Sequence, residues 1–166
     1  MRHMIFAALA AAALSAPTTG TAEVLAEASG IVIEDGYARA AGANARTGAA
    51  FMAITNTTDS DDRLIEARSD IAERVELHTH EMNDGIARMR EVEGGIPIPA
   101  GETVLLERGG LHVMFLGLTG GMAAGSTVDM VLVFESAGEI PVKVPVDLMR
   151  GQGGGHGQGH GAGSGG

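Results

Sequence analysis

GGLHVMFLGL, residues 109–118, is the stretch on which the reading of this chain turns. It is a short apolar run bounded by a glycine pair, the pattern of a buried β-strand. In a strand, residues i and i+2 point the same way and lie roughly 6–7 Å apart. Leu111, Val113 and Phe115 therefore share one face, and His112 and Met114 share the other. An imidazole and a thioether side by side can reach a single ion.

The same period of two runs outward in both directions. Alternating or short apolar runs fill Ile31 to Val146, separated by turn-rich clusters such as NTTDSDD at 56–62. That pattern means an all-β sandwich or barrel. Strands are expected at 30–40, 48–56, 63–69, 72–80, 86–92, 102–107, 111–118, 127–135 and 139–146, with helix a minority alternative confined to a turn around Ala40 to Ala50. Pro141 and Pro145 cannot donate to a ladder, so the last strand belongs at a sheet edge. EGGIPIPAGE, 93–102, reads as a tight anchored connection.

The ends have other compositions. Residues 1–22 carry Arg2, an apolar run from Met4 to Leu14 and a small-residue stretch ending at Ala22, the grammar of a secretory signal peptide. That run is shorter than the roughly 20 residues a membrane span needs. The chain thus divides into a leader (1–22), one β domain (23–150) and a tail (151–166), with a periplasmic location expected and no integral membrane segment in the mature chain. The tail, GQGGGHGQGHGAGSGG, has ten glycines in sixteen residues and should be flexible, its distinctive chemistry confined to His156 and His160.

Charge and cysteine content narrow the function. Without Arg2, 10 basic face 21 acidic residues, a net charge of −11, which argues against nucleic acid as a partner. The chain has no cysteine, so soft-metal chemistry falls to methionine. Imidazole with thioether and no thiolate favours copper, above all Cu(I). In AERVELHTH (72–80), parity puts Glu76, His78 and His80 opposite Val75 and Leu77. Met89 stands between Arg88 and Arg90, an odd place for a packing side chain. His80 and Met82 are given at most an accessory role, and Met52, Met122, Met130 and Met149 are read as core filler or surface. Neither HExxH nor GxSxG occurs, and nothing nominates a catalytic constellation, so the chain is not read as an enzyme. DSDDR (59–63) starts like a calcium loop but has Leu64 where the glycine belongs; a solvated turn fits better.

The spacing resembles a known family. His78, ten residues, Met89, twenty-two residues, then His112-Val113-Met114 is similar to the His…Met…His-x-Met signature of the PCuAC copper chaperones. The flanking text DDRLIEA (61–67), VELH (75–78), IPAGETV (98–104) and GGLHVM (109–114) is similar too, over most of 31–147. The resemblance implies a cupredoxin-like Greek-key β-sandwich or barrel holding one Cu(I) near the surface through His78, Met89, His112 and Met114. Ala87 stands where many members have another methionine, which leaves Met89 as the donor of its segment. The tail resembles an extension in some members that adds a Cu(II) site, here at His156 and His160. The implied destination is the binuclear copper centre of a haem-copper oxidase, with a Sco-type thiol protein as an intermediate partner. Two other readings stand beside it: a copper-buffering protein, and a structural sandwich whose His and Met are incidental. An electron-transfer cupredoxin lacks its cysteine here.

Overall fold

The computed structural model describes residues 22–42 and 44–150. The leader up to residue 21 and the tail with His156 and His160 lie outside the described residues. The described chain is all strand and turn, with no helix long and apolar enough to cross a membrane. Its strands are β1 (Val24–Ala28), β2 (Ile31–Ala40), β3 (Thr47–Asn56), β4 (Asp62–Arg68), β5 (Ala72–Asn83), β6 (Ile86–Glu91), β7 (Ile96–Ile98), β8 (Thr103–Leu106), β9 (His112–Leu118), β10 (Thr127–Phe134) and β11 (Gly138–Pro145).

Two antiparallel sheets result. One has the order β1-β2-β3-β9-β5-β6, with β8 also paired to β3; the other has the order β11-β10-β4-β7. One edge of β3 is shared, its Thr47–Ala50 half pairing with β9 and its Met52–Thr55 half with β8. Between the sheets lies one apolar core, supplied by every second residue. Val128, Met130, Leu132 and Phe134 of β10 face Val113 and Phe115 of β9 and Ala50, Met52 and Ile54 of β3 within it. The alternate positions of β10 and β11 are partly or fully exposed, as a half-buried antiparallel sheet requires.

The expected strands all form, to within a residue or two except that β5 runs on to Asn83. β11 is an edge strand, as its two prolines require. Met52, Met122 and Met130 are core and Met149 is exposed. Two strands were not anticipated. β1 closes on β2 through Ser29-Gly30, both at positive φ (51° and 78°), the geometry of a two-residue hairpin turn. β7 lies inside the 93–102 connection, where Ile96 and Ile98 are buried against β4.

The 56–62 cluster is more than a turn. Asn56 is fully buried and satisfied: Nδ2 donates to the carbonyls of Ser60 (2.8 Å) and Ile98 (3.0 Å), and Oδ1 accepts from the Thr58 amide (3.0 Å) and hydroxyl (2.7 Å). Asp62 accepts the amides of Arg63, Ser136 and Ala137. These carboxylate and amide groups tie β3, β4 and the β10–β11 turn together, so the segment is structural and not a calcium loop.

Candidate metal centre

The face of the larger sheet turned away from the core carries the donors. Cross-strand partners in an antiparallel pair point to the same side, and the register places His78 opposite His112, Glu76 opposite Met114 and His80 opposite Met89. His78, Met89, His112 and Met114 therefore share one face of three neighbouring strands, β6, β5 and β9. Their sequence separation is large, yet the sheet makes them neighbours. The β5–β6 hairpin that brings Met89 back turns on Asp84-Gly85, at φ 51° and 77°, which fixes a two-residue loop and hence the register.

Burial differs among the four. Met89 is 48% exposed on the edge strand and Met114 is half-buried, as a near-surface site would have them. His112 departs from that expectation: it is only 2% exposed. Its ring is walled by Phe51 (centroids 6.1 Å apart), His78 (5.8 Å) and His80 (5.2 Å). Phe51 in turn lies 5.0 Å from Tyr37. An aromatic row along the outer face thus buries a histidine outside the main core. An open concavity of about 980 Å³ borders this row; Tyr37, Phe51, His80, Met89, His112 and Met114 are in its wall, and Arg39 and Arg108 stand at it.

Hydrogen bonds select the nitrogen each ring can offer. His112 Nδ1 is 3.0 Å from the Gly110 carbonyl oxygen. A carbonyl can only accept, so Nδ1–H donates and Nε2 of the neutral ring is left as a lone pair. His78 Nε2 is 2.8 Å from Glu76 Oε2, while Arg74 holds Glu76 Oε1 at 3.0 Å. A carboxylate also only accepts, so Nδ1 becomes the open donor of His78. That Nδ1 is buried with no hydrogen-bond partner, and so is Nδ1 of His80. A carboxylate or carbonyl behind a ligating histidine sets its tautomer and orientation in metal sites generally.

Burial depresses the pKa of His112, opposed by the Gly110 carbonyl and reinforced by the neighbouring His80 and His78. The ring is thereby kept neutral, the form that binds a metal. The sign for stability follows. As pH falls through the ordinary histidine value of 6.5, the unfolded chain takes up a proton that folded His112 refuses. Metal-free protein should therefore hold its full stability above that pH and lose it as pH drops toward the depressed value. Urea midpoints measured against pH should show this fall, and His112→Phe should flatten it; an unchanged slope would count against a neutral buried ring.

Among the described residues, no three His, Asp or Glu side chains converge to hold an ion by themselves. An ion on this face would need thioethers; Met89 and Met114 line the concavity beside the histidines, while Met82, on the same face of β5, stands 72% exposed near the hairpin tip. Glu76 and His80 lie on this face as well, Glu76 bonded to His78 and His80 set against Met89. Strand parity had already put both on the His78 face, but the β5–β6 register that sets His80 against Met89 is not written in any local pattern.

Comparison with known proteins gives the family. The family profile described as "Putative lipoprotein LpqE-like" matches residues 31–146. "Putative lipoprotein Lxx21020" of Leifsonia xyli subsp. xyli (strain CTCB07) is 33% identical over 120 residues, 72% of this chain and 71% of that protein. Among solved structures, the copper-bound PCuAC domain from PmoF2 superposes with TM-score 0.63 at 26% identity, over 75% of this chain and 97% of that one. The solution structure of CuI-DR1885 from Deinococcus radiodurans does so with TM-score 0.57 at 29% identity, over 69% and 76% of the two chains. With a cupredoxin-like sandwich and a match spanning nearly all of its strands, the chain belongs to the LpqE-like family, which is that of the PCuAC domains.

Proposed function

We propose that the protein is a copper chaperone acting outside the cytoplasm, in the periplasm, which takes up Cu(I) at His78, Met89, His112 and Met114 and hands it on. One observation carries this reading: strand register collects two imidazoles and two thioethers on the outer sheet face of a chain that has no thiol. Such a set is soft, neutral and needs no deprotonated ligand, which matches Cu(I) and not calcium, magnesium or structural zinc. The copper held by the PmoF2 domain and by DR1885 supports the same ion here. A relative named as a lipoprotein supports the extracytoplasmic setting, as does the leader pattern of residues 1–22.

Each residue then has a definite part. Glu76 engages Nε2 of His78 and leaves its Nδ1 as the lone pair, and the Gly110 carbonyl engages Nδ1 of His112 and leaves its Nε2. Met89, on the exposed edge strand, and half-buried Met114 supply sulfur. Neutral thioethers at an open rim let an acceptor's ligands replace them one at a time. The acceptor we assign is the binuclear copper centre of a haem-copper oxidase, reached directly or through a Sco-type thiol protein. Two imidazoles without sulfur, His156 and His160, would add a Cu(II) station on the tail.

An anaerobic titration of Cu(I) against a chromophoric chelator tests the central claim. The chain should withdraw one tight equivalent, and the loaded protein should pass it to a copper-free oxidase domain, read as the copper content of that domain after the two proteins are separated anaerobically. Failure to compete with the chelator would end the copper reading; retention of copper in the presence of the acceptor would end the delivery step.

A further inference from the structure

Two imidazoles of β5 compete for one place beside His112. His78 stands opposite Glu91 in the β5–β6 register, whereas His80 stands opposite Met89. The His80 ring is also the nearer to His112, at 5.2 Å against 5.8 Å for His78. His80 joins Met89, His112 and Met114 in the wall of the open concavity, and His78 does not. Instead His78 is held by Glu76, with only 12% of its side chain exposed. Each of the two rings has a buried Nδ1 without a hydrogen-bond partner. Leaving a buried polar atom unmatched is destabilising, and this face does so twice.

We propose that copper has two stations on this sheet: an outer one held by His80, Met89, His112 and Met114, and an inner one in which His78 takes the place of His80. The proposal rests on the copper reading above and adds the route by which the ion enters and leaves. Each station uses two imidazoles and two thioethers, in keeping with the failure of the three histidines to converge on one point. In the exchange, the bond from Cu(I) to a His78 nitrogen breaks as one to a His80 nitrogen forms. Both rings are neutral lone-pair donors, so copper keeps its oxidation state and no proton is transferred. Met89, His112 and Met114 hold the ion throughout. The outer station presents copper at the concavity, where an acceptor's ligands can reach it; the inner station, braced by Glu76, retains it.

The test uses the whole chain, labelled with ¹⁵N-histidine and loaded anaerobically with Cu(I). Side-chain nitrogen resonances of both His78 and His80 should move on loading. A chelator should withdraw Cu(I) from His80→Ala about tenfold more slowly than from the parent, although equilibrium affinity changes by less than about tenfold. His80→Met, which restores a soft lone pair, should recover the rate. His80 resonances unmoved by loading would overturn the proposal, and so would withdrawal from His80→Ala at the parent's rate or faster. A parent chain that takes up no Cu(I) would overturn the copper reading itself, an outcome distinct from one in which copper binds and His80 stays silent. The resonance measurement uses the unmutated protein, so it stands whether or not a variant folds.

Discussion

Replacing Met114 with alanine is expected to weaken Cu(I) binding by about 100-fold or more, equivalent to about 2.8 kcal/mol, while the metal-free protein stays folded. Met114 stands between Ala49 on β3 and Glu76 on β5, on the sheet face away from the core. Its sulfur is one of the two thioethers, with that of Met89, in the wall of the concavity, and neither neighbour can replace it. Glu76 already serves His78 and Arg74, and alanine offers no donor. The half-buried side chain contributes to packing only modestly, about 1 kcal/mol by the apolar area a partly exposed methionine removes from water. Competition against a chelator gives the affinity, and thermal unfolding of the metal-free variant gives the control. Unchanged affinity would remove Met114 from the site; collapse of the metal-free fold would show that it packs rather than ligates.

Phe115, the next residue along the same strand, should behave in the opposite way. Its ring is fully buried in the core between the sheets, so Phe115→Ala should cost about 3–5 kcal/mol, lost transfer energy plus a cavity that rigid neighbours cannot close. That is a large share of the roughly 5–15 kcal/mol that holds a domain of this size. Molecules that remain folded should still bind one Cu(I) with little loss of affinity, because the donor face is untouched. Urea unfolding of the metal-free variant measures the first effect and chelator competition at low temperature the second. A loss of under about 1 kcal/mol would mean that the two faces of β9 have been assigned the wrong way round.

The contrast between these neighbours rests on parity, which is local. Successive side chains of an extended chain must alternate, so LHVMFLGL displays its division into core and donor faces without reference to any other strand. The same holds for Val75 and Leu77 against Glu76 and His78, for the edge position of the proline-bearing β11, and for the core role of Met52 and Met130. Composition alone, with methionine and histidine present and cysteine absent, already indicated which metal chemistry was available.

What no strand carries within itself is its neighbour. His78 meets His112, and His80 rather than His78 meets Met89, because of pairings between segments far apart in the chain and because Asp84-Gly85 closes the β5–β6 hairpin with two residues and not three. Slipping that register by one residue would turn Met89 to the other face, and nothing in the exposed β6 sequence forbids it. The burial of His112 on an outer face likewise needed Phe51 and Tyr37 to arrive from β3 and β2. β7 was hidden for a related reason: three residues are too few to show alternation, and Ile96 and Ile98 become a strand only when β4 offers them an edge. Sequence by itself determined nine of the eleven described strands, their faces and the donor types, since backbone geometry sets those residue by residue. Tertiary structure alone decided which donors meet and how deeply they lie, since cross-strand register and burial are properties of pairs that only the folded sheet brings together.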